Sequence, residues 1–181
     1  TIKDPSNKKC NKLSFELIDV SMNKEFASET DNLPDGTIIE FSEQTQNIIN
    51  YISDHIQQNS GAALIIDYGK EGNVGNTFQA VRQHQYSNPL KFPGLTDLTS
   101  YVDFNAIRNS AEKSGLIASK LTYQADFLKN LGIEQRAKIL AQKLPHGQLR
   151  LHQAALKRLV NHDEMGHLFK VLGLRNPTSP P

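Results

Sequence analysis

Cysteine, long apolar runs and a charge excess are all scarce in this chain, and each shortage removes a class of protein. The single cysteine, Cys10, excludes an internal disulfide. Its polar neighbours (Asn7 to Lys12) mark an exposed thiol rather than a nucleophile or ligand. Such sparing use suits a reducing compartment. The longest apolar runs, such as Ala62–Ile66, fall far below the roughly 20 residues of a membrane-crossing helix, so no membrane insertion is expected. Twenty basic residues stand against 19 acidic ones, a formal net charge of +1. That balance points to neither a nucleic-acid nor a membrane-surface partner. No apolar stretch follows the first lysines, so no secretory signal is expected. The chain opens Thr1-Ile2-Lys3 without an initiator methionine, as processing or truncation of a longer protein would both explain.

What is present is a soluble α/β pattern. With 181 residues the chain suits one domain with a real core. Its expected division is a flexible N-terminus at 1–12, a domain over 13–174 and a proline-rich, disordered tail at 175–181. Leu13, Phe15 and Leu17 alternate with polar residues and predict a half-buried strand over Leu13–Val20. Pro34-Asp35-Gly36 makes a turn, and Thr37–Phe41 a short strand. Ser42 can cap a helix reaching about Asn59, with Ile48, Ile49, Ile52 and Ile56 at helical spacing. Ala62–Ile66 then runs unbroken into Asp67-Tyr68-Gly69, which reads as a strand buried on both faces of a parallel sheet. Ligands of such sheets sit at the carboxyl ends of strands, where Asp67 falls.

Further along, Phe78–Tyr86 leaves extended and helical readings both open. Asp103 can cap a helix that turns Phe104, Ile107 and Ala111 inward and stops at Gly115. Leu116–Tyr123 reads as a strand, and two or three helices follow across Gln124–His162. Their expected core is Phe127, Leu128, Leu131, Ile139, Leu140, Leu151, Ala155 and Leu159. His167–Leu174 can form a last strand.

Several constellations invite chemistry. Gly69, Gly72 and Gly75 are spaced G-x-x-G-x-x-G rather than G-x-G-x-x-G, and no helix opens there, so a surface loop is the better reading than a phosphate cradle. His162, Asp163, Glu164 and His167 suggest a metal, but the histidines are five apart and Gly166 interrupts them. A helix C-terminus accounts for them better, and no metal site is assigned. Asp67 and Tyr68, with His84, read either as turn chemistry or as a pocket wall. Asp97, Thr99 and Asp103 divide the same way between capping and contact. No Ser/His/Asp set or Cys/His pair is identifiable, so nucleophilic catalysis has no support.

Taken in order, the segments Leu33-Pro34-Asp35-Gly36 leading to Glu40, Ala62 to Gly69, and Thr77 to Val81 with His84 resemble the MidA-like family of methyltransferases. Pro93-Gly94, Asp97 to Phe104, Thr122-Tyr123-Gln124, Phe127-Leu128, Leu131-Gly132-Ile133 and Met165-Gly166 with Leu168 to Leu172 continue the likeness. The family takes in a mitochondrial arginine methyltransferase of complex I assembly. The resemblance covers about residues 33–174 and implies the C-terminal portion of a Rossmann-like class I methyltransferase sheet, with a helical segment near its end. Ala62–Tyr68 would be its fifth strand, with Leu116–Tyr123 and His167–Leu174 as the last two. The family's Glu-x-Gly-x-Gly cofactor loop has no counterpart here, so the S-adenosylmethionine site is expected upstream of these residues. Tyr123 is a smaller departure, standing where the family tends to carry threonine.

The resemblance implies methyl transfer to an arginine of a partner protein, with a respiratory complex I subunit among the candidate substrates. Asp67, Tyr68 and His84 are the catalytic candidates, and Asp97, Thr99, Asp103 and Gln124 the substrate-binding ones. Carboxylates suit a guanidinium because they pair with it through parallel hydrogen bonds. No cofactor-binding residue is assigned, and the chain alone is expected to be inactive. The rival reading is a non-catalytic binding or assembly module that grips a partner through residues 124–162. A sheet without its first strands would also expose an edge open to self-association. The expected location is the cytoplasm for a bacterial protein and the mitochondrial matrix for a eukaryotic one.

Overall fold

The computed structural model describes residues 13–16 and 33–178. In chain order the elements are α1 (Glu43–Asn59), β1 (Ala62–Lys70), β2 (Gln79–Arg82), β3 (Gln85–Ser87), β4 (Asp97–Thr99) and β5 (Val102–Asp103). They continue with α2 (Phe104–Lys113), β6 (Ile117–Ala118), β7 (Thr122–Tyr123), α3 (Gln124–Asn130), α4 (Ile133–Ala141), α5 (His146–Val160), α6 (Met165–Leu168) and β8 (Phe169–Arg175). The chain divides into two compact units: residues up to Glu40 with Val74–Ser100, and Phe41–Asn73 with Tyr101–Pro181.

The larger unit is built on β1. It pairs antiparallel with β8 from Ala62↔Arg175 to Tyr68↔Phe169. On its other edge it pairs parallel with β5, at Gly69↔Val102 and Lys70↔Asp103. β6 and β7 both add antiparallel to β8, so the sheet runs β5-β1-β8-β6 with β7 beside β8. Helix α1 forms where expected, because the Ser42 hydroxyl accepts the Thr45 amide at 3.2 Å and supplies one of the partners that a first turn lacks. Ile49, Ile56, Phe104, Ile107, Ala111, Leu116, Leu172 and Leu174 are buried together as the core. Removing this apolar surface from water is the main stabilisation of the unit.

Three expectations about this unit change. The strand predicted as buried on both faces of a parallel sheet is largely antiparallel, and Leu64 and Ile66 are 53% and 41% exposed. Only the Ala63 and Ile65 side of β1 packs against the core, as alternation along a strand requires. The strand expected over Leu116–Tyr123 is two short pieces, β6 and β7. Leu131, Ile139, Leu140, Leu151 and Ala155, expected in the core, are exposed. Short helices bury one narrow stripe each, and that stripe is taken here by residues such as Ala125 and Ala137.

The smaller unit is the antiparallel sheet β3-β2-β4. The open reading of Phe78–Tyr86 resolves as a hairpin: Gln83 and His84 both take positive φ, 51° and 62°, between strands paired Arg82↔Gln85. Two positive-φ residues match the right-handed twist of a tight hairpin. The strand expected at Thr37–Phe41 reduces to one bridge, Ile39↔Val74. Leu13–Glu16 is described without strand pairing, and the rest of the strand expected to Val20 lies outside the described residues, as does the N-terminus 1–12.

Candidate functional site

The structure separates the sequence candidates. Asp67, Tyr68, Asp103 and Gln124 lie in the larger unit, and His84, Asp97 and Thr99 in the smaller. In the larger unit the carboxyl end of β1 gathers the polar chemistry. Asp67 is half-buried, and its Oδ1 accepts the Tyr68 amide at 2.8 Å. The Tyr68 ring meets Tyr101 edge-on at 5.9 Å and Phe169 at 5.7 Å. Gly69 is required by close approach, because a Cβ there would stand 2.2 Å from the Val102 carbonyl oxygen.

Asp103 holds this end in place. Its Oδ1 accepts the amides of Asn105 and Ala106 at the start of α2, at 2.9 and 3.3 Å. The same oxygen accepts the Gly72 amide at 2.9 Å and so fixes the turn after β1. Beyond that turn, Arg108 pairs with Glu71 at 3.2 Å. Gln124 is 5% exposed, and its Nε2 donates to the Leu159 carbonyl at 2.9 Å, tying α3 to the end of α5.

Strand register adds residues that the sequence reading passed over. Asp67 is opposite Lys170, and Lys170 is opposite Tyr123, which places the three side chains in a row on one face. The Lys170 ammonium stands 5.1 Å from the Tyr123 ring centre and donates to the His167 carbonyl at 2.7 Å. Burial lowers the Lys170 pKa from its ordinary value. The Tyr123 ring stacks on His167 at 3.6 Å, and His167 on His162 at 4.0 Å. Desolvation, then the neighbouring His162 and Lys170, lower the His167 pKa, against a smaller raising effect of Asp126. Gly166 permits this approach, since a Cβ there would lie 2.5 Å from the Val160 carbonyl carbon. The pair His162 and His167 was visible in the sequence, but it is a stack, and its partner Tyr123 comes from a distant strand.

In the smaller unit His84 is exposed at the hairpin tip, and Asp97 and Thr99 lie on β4. The Thr99 hydroxyl is buried without a hydrogen-bond partner among the described residues. A cavity of about 370 Å³ is lined mostly by apolar residues, among them Leu13, Phe15, Phe78, Phe92 and Leu98. Glu40 braces the entry to β2: its Oε1 accepts the amides of Thr77 and Phe78 at 2.7 and 2.9 Å.

The glycine-bearing loop after β1 does not suit a cofactor. The Gly72 amide is spent on Asp103, and the Gly69 gap is filled by the β5 backbone. That loop therefore does not form an S-adenosylmethionine cradle.

The larger unit is a mixed α/β sheet in which antiparallel β8 lies between β1 and β6, with acidic and aromatic residues at the end of β1, in keeping with the class I methyltransferase sheet that the resemblance implies. The chain belongs to the MidA-like family of S-adenosylmethionine-dependent methyltransferases: residues 3–122 match the family described as "Putative S-adenosyl-L-methionine-dependent methyltransferase". It is similar to the mitochondrial protein arginine methyltransferase NDUFAF7 of Danio rerio, 35% identical over 130 residues, which are 71% of this chain and 30% of that protein. The Homo sapiens protein of the same name is 37% identical over 131 residues, covering 70% of this chain and 29% of the relative. The chain thus spans about 30% of the length of the curated relatives it matches. Its fold is similar to that of a Burkholderia thailandensis protein described as a "likely methyl transferase" bound to S-adenosyl-homocysteine. The TM-score is 0.73 at 24% identity, over 89% of this chain and 43% of that one.

Proposed function

We propose that this chain forms the acceptor side of a protein methyltransferase that methylates an arginine of a partner protein. The observation that carries the reading is the row Asp67, Lys170 and Tyr123 at the carboxyl end of β1, with the aromatic group of Tyr68, Tyr101 and Phe169 on the opposite face of that strand end. When bound, S-adenosylmethionine supplies a methyl group already activated on a sulfonium. The chain's own residues have to align the nitrogen and hold its charge. Asp67 orients the guanidinium through charge-assisted hydrogen bonds, while Tyr68, on the other face of β1, packs with Tyr101 and Phe169 and acts as a positioning residue. Within the smaller unit, taken by itself, His84 is the candidate proton acceptor and Asp97 and Thr99 are the candidate acceptor contacts. Asp103 and Gln124 act as positioning residues, because their hydrogen bonds are made within the fold.

By this reading the chain alone is inactive, since the glycine-bearing loop after β1 makes no cofactor cradle. A respiratory complex I subunit is the substrate that the family resemblance favours, with the mitochondrial matrix as the place in a eukaryote and the cytoplasm in a bacterium. The relatives' names, mitochondrial protein arginine methyltransferases, support the eukaryotic half of that assignment. Self-association follows from the edge of β1 away from β8, where β5 pairs with Gly69 and Lys70 alone.

The test is binding of an arginine-containing peptide by the chain and by Asp67→Asn. Loss of binding in the variant with unchanged thermal unfolding supports the assignment, and equal binding removes it. The second reading, a binding module without catalysis, is favoured by the exposed helical surface of α4 and α5.

A further inference from the structure

Helices α3, α4 and α5 concentrate positive charge. Residues 124–160 hold seven lysines and arginines against Asp126 and Glu134, a net +5 in a chain whose total is +1, so the remainder carries −4. All seven cations are exposed, and none is in an ion pair among the described residues. Helix α5 has no acidic residue in its 15 positions. Arg150, Leu151, Ala154, Lys157 and Arg158 recur at helical spacing and share its exposed side, while Leu149, His152, Leu156 and Leu159 turn inward. His152 Nε2 lies 2.9 Å from the Ala137 carbonyl oxygen, which joins α5 to α4.

A solvated helix face interleaves glutamate with lysine, because like charges in sequence repel. Here they do not alternate. The helix macrodipole accounts for Lys157 and Arg158 in the last turn, but not for Arg150 or for Arg136 of α4. At the centre of the strip Leu151 is 73% exposed beside the small Ala154. An exposed leucine ringed by cations, with small residues that let a backbone approach, has the anatomy of a protein-binding patch. An anionic lipid surface fits less well, since neither α4 nor α5 carries an aromatic anchor.

We propose that the exposed face of α5, with Arg136 of α4, docks an acidic segment of a protein partner whose apolar side chain covers Leu151. Identifying that partner with the methylation substrate rests on the function proposed above; the docking itself does not.

The test is fluorescence anisotropy of a labelled peptide alternating glutamate with leucine, titrated with this chain at low and high salt. Saturable binding that weakens with salt, and weakens about tenfold or more in Arg150→Glu/Lys157→Glu, supports the proposal. Arg150→Ala/Lys157→Ala and Leu151→Ser should each bind less tightly while unfolding at the wild-type temperature. Unchanged affinity in these folded variants would overturn it, as would tighter binding to phosphatidylcholine–phosphatidylserine vesicles or to single-stranded DNA. Docking of the acidic peptide with no effect of Asp67→Asn on arginine-peptide binding would sustain the surface and refute the acceptor site alone.

Discussion

Asp103 Oδ1 accepts the amide of Gly72, 31 residues earlier, at 2.9 Å, and the same oxygen caps α2. One carboxylate therefore sets both the turn after β1 and the start of the helix that covers the core. Asp103→Ala removes the cap and leaves the Gly72 amide without its partner. Loss of a cap and a half-buried hydrogen bond costs about 1–3 kcal/mol. Thermal unfolding should register that fall, and an unchanged midpoint would mean the oxygen is not shared.

Gly69 admits no side chain. A Cβ there would overlap the Val102 carbonyl oxygen at 2.2 Å and press on the buried Phe104 ring at 3.0 Å, and the Val102 backbone leaves little room to yield. Gly69→Ala is expected to destabilise by about 1–3 kcal/mol or more, in the range of overpacked cores. Denaturant unfolding measures it directly. Wild-type stability would show that β5 does not lie against β1 as described.

Gln124 distinguishes support from substrate contact. Its buried amide donates to the Leu159 carbonyl, so Gln124→Leu leaves that acceptor unpaired and should cost about 1–3 kcal/mol. The acceptor peptide should still bind to the fraction that remains folded. Lost binding at full stability would instead make Gln124 a contact residue.

His167 gives the larger unit a pH dependence. Its folded pKa is lowered, so the unfolded chain binds more protons below the ordinary value of 6.5. Its contribution to stability is complete above that pH and is lost as pH falls toward the lowered value. The unfolding temperature should therefore decline on acidification through this window. His167→Phe, which keeps the stack on Tyr123, should flatten the decline. An equally steep decline in the variant would assign the effect to other groups.

Much of the larger unit was legible because local signals agreed. Ser42 and Asp103 capped the helices assigned to them, and Phe104, Ile107 and Ala111 turned inward as their spacing required. Ala62–Ile66 announced a strand, but composition alone could not tell a parallel partner from antiparallel β8, which lies a hundred residues away. Leu151 and Ile139 were misplaced because helical spacing shows that a face is apolar, not whether anything covers it. The cross-strand row Asp67–Lys170–Tyr123 could not be read at all, since register joins residues 67, 123 and 170 only after folding.

The most direct test of the acceptor-side reading is calorimetry on this 181-residue chain with two ligands, S-adenosylmethionine and an arginine-containing peptide. The expected result is saturable heat from the peptide, abolished in Asp67→Asn, and none from S-adenosylmethionine. Saturable binding of S-adenosylmethionine, or peptide binding indifferent to Asp67, would contradict the account.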